Sequence, residues 1–291
     1  MPLNLLQDER SRSAFKGVLL TGLVVILGAA ISCGGDSEPT VELVIEADLA
    51  ALPSDADPDE VMDLAAEIIE KRVEALAFDG HVTIDRPDRI LVELSGIDGA
   101  LADKVADLIG KTAKLEFRAP VINDEHLVVC TDLDGEEFAV LGVQVSEGTC
   151  IGTGQTGTVQ WIPATARDST GVERVLTGAF IEPGGAEDLV TPERPGQCSP
   201  ACLRLDFTAE GALLFEQVTS ELVNFPLAIF LDEDLIGAPN VAQAISGGTA
   251  VIGGLDEDEA EALAIQINAG TLPVQIDVVA VHTGGDSSRS D

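Results

Sequence analysis

Between Leu227 and Val274 the hydrophobic period changes repeatedly over a short distance, which constrains the fold more than any other feature. Leu227-Ala228-Ile229-Phe230-Leu231-Asp232 is a continuous apolar run ended by an acid, and it reads as a strand buried on both faces. Ile236-Gly237-Ala238-Pro239 and Ile245-Ser246-Gly247-Gly248 carry turn residues, and Val251-Ile252-Gly253-Gly254 reads as a second strand. Asp256 and Glu259 then make a capping box for a helix with Leu263, Ala264 and Ile267 inward. Gly270 stops that helix, and 273–281 is an exit strand. Short strands alternating with capped helices predict an α+β fold.

The same order is legible twice. Val41-Glu42-Leu43-Val44-Ile45-Glu46 is a strand. Asp57 caps a helix with Pro58 at its first position, and Val61, Leu64, Ala65, Ile68 and Leu76 share one face. Strands at 82–84 and 90–94 follow around Pro87-Asp88. A helix capped by Asp98 comes next, with Leu101, Val105, Leu108 and Ile109 inward, and then a strand over 112–118. This is a ferredoxin-like βαββαβ unit. The second unit runs from the strand 203–207 through a helix capped by Thr208, with Leu214, Phe215, Val218 and Leu222 inside. The 119–200 stretch is richer in Gly, Thr and Pro. It predicts short strands at 127–130 and 138–145 and a surface loop marked by Pro183, Pro192, Pro195 and Pro200.

The landmarks from Leu227 to Val274 resemble the first large extracytoplasmic domain of SecD, the accessory subunit of the bacterial protein translocase. Val92-Glu93-Leu94-Ser95-Gly96-Ile97 is similar to that family's VELPG turn, with Ser95 in place of Pro. Thr112–Arg118 is similar to its TAxLEFR strand. Asp48-Leu49-Ala50-Ala51 departs from it, lacking a double glycine. The resemblance implies a base subdomain of 41–118 plus 271–281 and a mobile head of 119–270, with Pro120 and Gly270 as hinge candidates. It also implies noncovalent capture of unfolded secretory polypeptides, with head–base rotation hindering backsliding. A SecD chain continues into a proton-conducting membrane bundle, whereas 282–291 reads as a disordered tail. Proton-driven work would therefore need a Sec translocon or SecF-like membrane partner. The competing reading is a divergent envelope lipoprotein that binds a small ligand or partner protein and has no export role.

The N-terminus predicts an extracytoplasmic location. Arg10, Arg12 and Lys16 precede an uncharged apolar run over 17–32, then Ala30-Ile31-Ser32-Cys33. Residues 1–32 read as an export signal and 33–40 as a tether. A small residue before Cys33 resembles a bacterial lipobox, in which that cysteine is lipidated. The same run is close to the length of an uncleaved anchor helix. Either reading attaches the chain to a membrane.

Four further cysteines, Cys130, Cys150, Cys198 and Cys202, suit two disulfides in an oxidising compartment. Of the three pairings, Cys130–Cys150 and Cys198–Cys202 are favoured because each closes a local loop. The spacing of Cys198 and Cys202 also fits zinc, but no second such pair accompanies it. The net charge of −35 and an aromatic content of 3% argue against nucleic acid as a partner, since phosphate is repelled and stacking platforms are scarce.

No catalytic constellation emerges, so the expectation is a binding protein and not an enzyme. His81, His126 and His282 lie far apart in sequence, and no HExxH or GxSxG occurs. Gly152-Thr153-Gly154-Gln155-Thr156-Gly157 spells GxGxxG, but a strand-like run follows where a dinucleotide site requires a helix. A hairpin loop is expected there, with no cofactor. The acids Asp232, Glu233 and Asp234 read as a solvated turn and not as a metal site.

Overall fold

The computed structural model describes residues 40–97, 99–189 and 200–284. The export segment, Cys33, Asp98, Cys198 and 285–291 lie outside the described residues, as does the tether up to 39.

The chain runs β1 (Thr40–Ala47), α1 (Pro58–Ala75), β2 (Asp79–Arg86), β3 (Arg89–Ser95), α2 (Gly99–Gly110) and β4 (Leu115–Pro120). Short strands follow: β5 (Val128–Asp132), β6 (Glu137–Val140), β7 (Val145–Ser146), β8 (Thr149–Ile151), β9 (Thr156–Val159), β10 (Trp161–Pro163), β11 (Thr165–Arg167) and β12 (Glu173–Val175). Then come β13 (Ile181–Leu189), β14 (Ala201–Phe207), α3 (Ala209–Glu221), β15 (Ala228–Leu231), β16 (Asp234–Gly237), β17 (Thr249–Leu255), α4 (Glu257–Ala269) and β18 (Ile276–Gly284).

The first lobe is an antiparallel sheet in the order β18-β1-β3-β2, with α1 and α2 packed on it. Period-2 alternation puts Val41, Leu43 and Ile45 on one face of β1. They sit opposite Leu94, Val92 and Ile90 of β3, and all six are buried in one core. Asp57 caps α1 by accepting from the Asp59 amide at 3.1 Å. The buried stripe of α1 is Met62, Ala65, Ile68, Ile69, Arg72 and Val73, while Leu64 faces outward. Leu101, expected inward on α2, is likewise exposed.

Two expected boundaries differ. The strand at 112–118 was to close the first sheet, but β4 lies in another sheet, with Phe117 opposite Ile229 of β15 and Pro120 opposite Trp161 of β10. The outer position beside β1 is held by β18 instead. The reason is in the side chains: Leu115 and Phe117 of β4 feed the second core, whereas Ile276 feeds the first. Residues 282–284, expected in a disordered tail, instead belong to β18, where His282, Thr283 and Gly284 are paired with Glu42, Val41 and Thr40.

The second lobe does not form one continuous sheet. Its strands divide among the orders β10-β4-β15-β16 and β13-β14-β17 and the pair β11-β12. β15 is buried along its whole length: Ile229 and Leu231 face the large core, while Ala228 and Phe230 face a small one. Phe207 and Phe215 stack at 4.6 Å, with Phe117 5.6 Å from Phe207. Thr208 and Asp256 cap α3 and α4, accepting from the amides of Gly211 and Glu259 at 3.1 and 2.7 Å. Pro183, expected in a loop, lies inside β13, where the register against β14 shifts between Ile181 and Ala186. The extra residues there form a bulge, which accommodates proline within a strand.

A separate five-stranded sheet has the order β6-β5-β9-β8-β7. A disulfide joins Cys130 of β5 to Cys150 of β8, with Cα atoms 6.4 Å apart, linking the strands on either side of β9. Cys202 is also disulfide-bonded. The GxGxxG stretch is the tip of the β8–β9 hairpin, closed by the Gly152 amide donating to the Gln155 carbonyl at 2.9 Å. It opens no helix.

A cleft where the two cores exchange the chain

The chain leaves the first core after Ile109 and enters the second at Ala113. It returns between Ala264 and Ala269. These two crossings lie side by side. The Leu272 amide donates to the Thr112 carbonyl at 2.8 Å, and Thr271 Oγ1 donates to the Ala113 carbonyl at 3.1 Å.

Arg72 binds both crossings from α1. Its guanidinium donates to the carbonyls of Ile109 (2.7 Å), Lys111, Thr112 (3.5 Å) and Gly270 (3.1 Å). The residue is 0% exposed, so these carbonyls stand in for water. Burial pulls its pKa down to about 10, opposed in part by the charge of Asp232. The apolar period of α1 does not mark Arg72, because a cation falls outside any hydrophobic stripe. Its position, three and four residues after Ile69 and Ile68, was the available signal.

Asp232 is the matching anchor on the other side, and not a solvated turn. Its carboxylate accepts from the amides of Ala113 and Lys114 at 2.7 and 2.8 Å. Asp232 and Ala113 both have left-handed backbone, with φ of 51° and 59°. Of the two hinge candidates, Gly270 lies at a crossing, with φ 98° at the end of α4. Pro120 does not; it is buried within β4, beyond the point where the chain has joined the second core. Glu233, in the same turn as Asp232, takes a 2.9 Å hydrogen bond from Arg118, whose guanidinium lies 4.3 Å from the Phe230 ring centroid.

Beside the crossings lies a cleft of about 580 Å³, walled by α2, α4 and the β15–β16 turn. Leu101, Val105, Leu108, Leu235, Ile236 and Leu263 give it an apolar lining. Asp107, Asp234, Asp258, Glu259 and Glu261 line it too, against only Lys104 and Lys111. Such a site suits an apolar segment carrying positive charge. Among the described residues no group of three or more His, Cys, Asp or Glu is placed to hold a metal. His126 sits in the turn before β5 with φ 60°, and Cys130, four positions further on, is committed to the disulfide. No described helix is long and apolar enough to cross a membrane.

The architecture is a mixed α/β one: two main cores, a doubled crossing and an apolar cleft beside it. Residues 190–274 match the family described as SecDF, P1 head subdomain, and 62–121 match Protein translocase subunit SecDF, P1 domain, N-terminal. The chain belongs to the SecD/SecDF family of protein translocase subunits. It is 30% identical over 277 residues to SecD of Dehalococcoides mccartyi, covering 93% of this chain and 54% of that protein. It is 31% identical over 275 residues to SecDF of Thermus thermophilus, covering 90% of this chain and 32% of that protein. The chain thus spans about half the length of SecD relatives and about a third of SecDF. A solved structure of SecDF, a membrane component described as enhancing protein export, superposes with a TM-score of 0.55 at 27% identity, covering 82% of this chain and 98% of that one. SecDF in a super-membrane-facing form gives 0.56 at 26% identity, covering 84% of this chain and 30% of that one.

Proposed function

We propose that this chain assists protein export outside the cytoplasm by holding emerging, unfolded polypeptide without covalent chemistry. The observation that carries the reading is the acid-rimmed apolar cleft beside the crossings, in a chain of SecD/SecDF ancestry. Exported segments in transit expose apolar and cationic side chains together, and a lining of that character binds both. In this reading the first lobe is a ferredoxin-like base, with β18 as its fourth strand, and the residues between the crossings are a head. Gly110–Lys114 and Gly270–Leu272 are the pivots. Cys33 carries a lipid, or the preceding segment anchors the chain, and a translocon or SecF-like membrane subunit is the working partner.

The test is site-specific photocrosslinking to a stalled secretory substrate, with the probe at Leu101 or Leu235 in the cleft. A substrate adduct is expected at both, and not at the exposed Leu133 in the β5–β6 turn. Absence of any adduct at the cleft positions would overturn the reading.

A further inference from the structure

Two sheet edges in the second lobe line one open groove. β16 ends one sheet and β17 ends the other, and no strand pairing joins them among the described residues. The groove is about 650 Å³, walled by Leu235, Ile236 and Gly237 on one side and Val251–Gly254 on the other. An edge strand carries a row of unpaired N–H and C=O groups, which folded proteins usually guard with charge, proline or cover. β17 has neither a charged residue nor a proline along Thr249–Leu255. Gly254, with φ 88°, makes a bulge opposite the Ala201–Cys202 step, and a Cβ built there would meet nothing. The bulge confines the regular open edge to Thr249–Gly253. Val251, at 51% exposure, is an apolar side chain left open beside it.

A second cavity of about 300 Å³ adjoins the groove, since Pro239, Asn240, Val251 and Ile252 line both. Its wall includes Phe117, Phe215, Leu227, Ile229 and Ile245, so it suits one bulky apolar side chain. An open strand edge with an adjacent side-chain pocket is the pair of features that strand addition uses, the first for affinity and the second for selection. Charge narrows the guest further. Glu147 is the one charged residue lining the groove, and the chain carries a net −35, so acidic segments are repelled.

We infer that β17 takes up an extended, apolar peptide segment with basic flanks as an added strand. One bulky side chain enters the Phe117–Phe215–Ile229 pocket, and β16 forms the opposite wall. This deepens the export reading and rests on it, in that the guest is an unfolded polypeptide.

The probe is the synthetic peptide Lys-Lys-Thr-Leu-Thr-Phe-Thr-Leu-Lys-Lys, added to the full chain and followed by residue-resolved amide exchange and by titration. Two versions N-methylated at alternate residues block one hydrogen-bonding edge each. The expected result is new protection of β17 amides, and binding weakened about ten-fold or more by one N-methylated version only. Val251→Lys, at an exposed position, is expected to weaken the parent peptide similarly while the fold persists. Equal binding of both N-methylated versions overturns the proposal. Protection confined to the α2–α4 cleft overturns it and leaves the export reading standing, whereas no binding at all overturns both. Protection of β17 without peptide also overturns it, because a segment of the chain itself would then fill the groove.

Discussion

Arg72 and Gly270 stand 198 positions apart in the sequence, yet the guanidinium of one donates to the main-chain carbonyl of the other at 3.1 Å. The same side chain holds Ile109, Lys111 and Thr112, so one residue of α1 fixes both passages between the cores. Arg72→Met keeps the apolar stem and removes every donor. Leaving buried carbonyls unpaired costs on the order of 1–3 kcal/mol each, and partial relaxation brings the expected loss to about 3 kcal/mol in denaturant unfolding. Amides at 109–113 and 270–272 are expected to exchange faster than those of the β1–β3 ladder.

Asp232→Asn isolates the charge on the opposite anchor. Asparagine tolerates the left-handed backbone at this position, so the substitution changes the acceptor and not the turn. Hydrogen bonds to a charged acceptor are the stronger kind, and a loss of about 1–2 kcal/mol is expected. Asp232→Ala, which removes the acceptor and strains the backbone, is expected to cost more. Thermal unfolding of both variants checks the order.

Replacing Cys130 and Cys150 together by serine removes the link across β9. The bond closes a separation of 20 residues, and the expected loss is about 3 kcal/mol. Faster exchange is expected to concentrate in β5, β8 and β9, with the first lobe unchanged.

Acid sensitivity is expected to involve Asp168. The hydrogen bond from Thr170 Oγ1 at 2.6 Å, with those from Arg174 Nε and the amides of Val172 and Thr170, holds its carboxyl well below the usual range. A carboxyl depressed in the folded state stabilises fully above its unfolded value of about 3.9, and that contribution is lost as pH falls toward the folded value. Asp168→Asn is therefore expected to flatten the stability profile below about pH 4. Unfolding midpoints from pH 2 to pH 7 would show it.

The GxGxxG glycines are expected to behave as hairpin residues. A Cβ on Gly157 would lie 2.3 Å from the Thr131 carbonyl oxygen, a main-chain atom that cannot move aside cheaply. Gly157→Ala is expected to cost roughly 2 kcal/mol or more. Gly154 has φ 81° and open space around it, so Gly154→Ala pays only for backbone handedness, about 1 kcal/mol. Paired denaturation curves separate the two.

Local chemistry was the legible part of this chain. Asp57, Thr208 and Asp256 cap the helices as their sequence contexts predict, and the unbroken apolar run of β15 is buried on both sides. Periodicity did not reveal partner choice. β4 and β18 both read as strands, but nothing in their alternation says which one joins β1; that follows from which core their inward residues fill. The β6-β5-β9-β8-β7 sheet was only partly visible because strands such as β7 and β8 are too short to show a period. At the crossings, the roles of Arg72 and Asp232 come from carbonyls and amides more than thirty positions distant, which spacing rules cannot reach.

The β1–β18 ladder has a mechanical corollary. Thr40 and Gly284 are directly opposite each other, so the two ends of the described chain emerge at the same corner of the sheet. Tension applied between them would unzip the antiparallel rungs singly, starting at that corner, instead of shearing them all at once. Under load applied at those two points, the seam joining the first strand to the last would be the first to part.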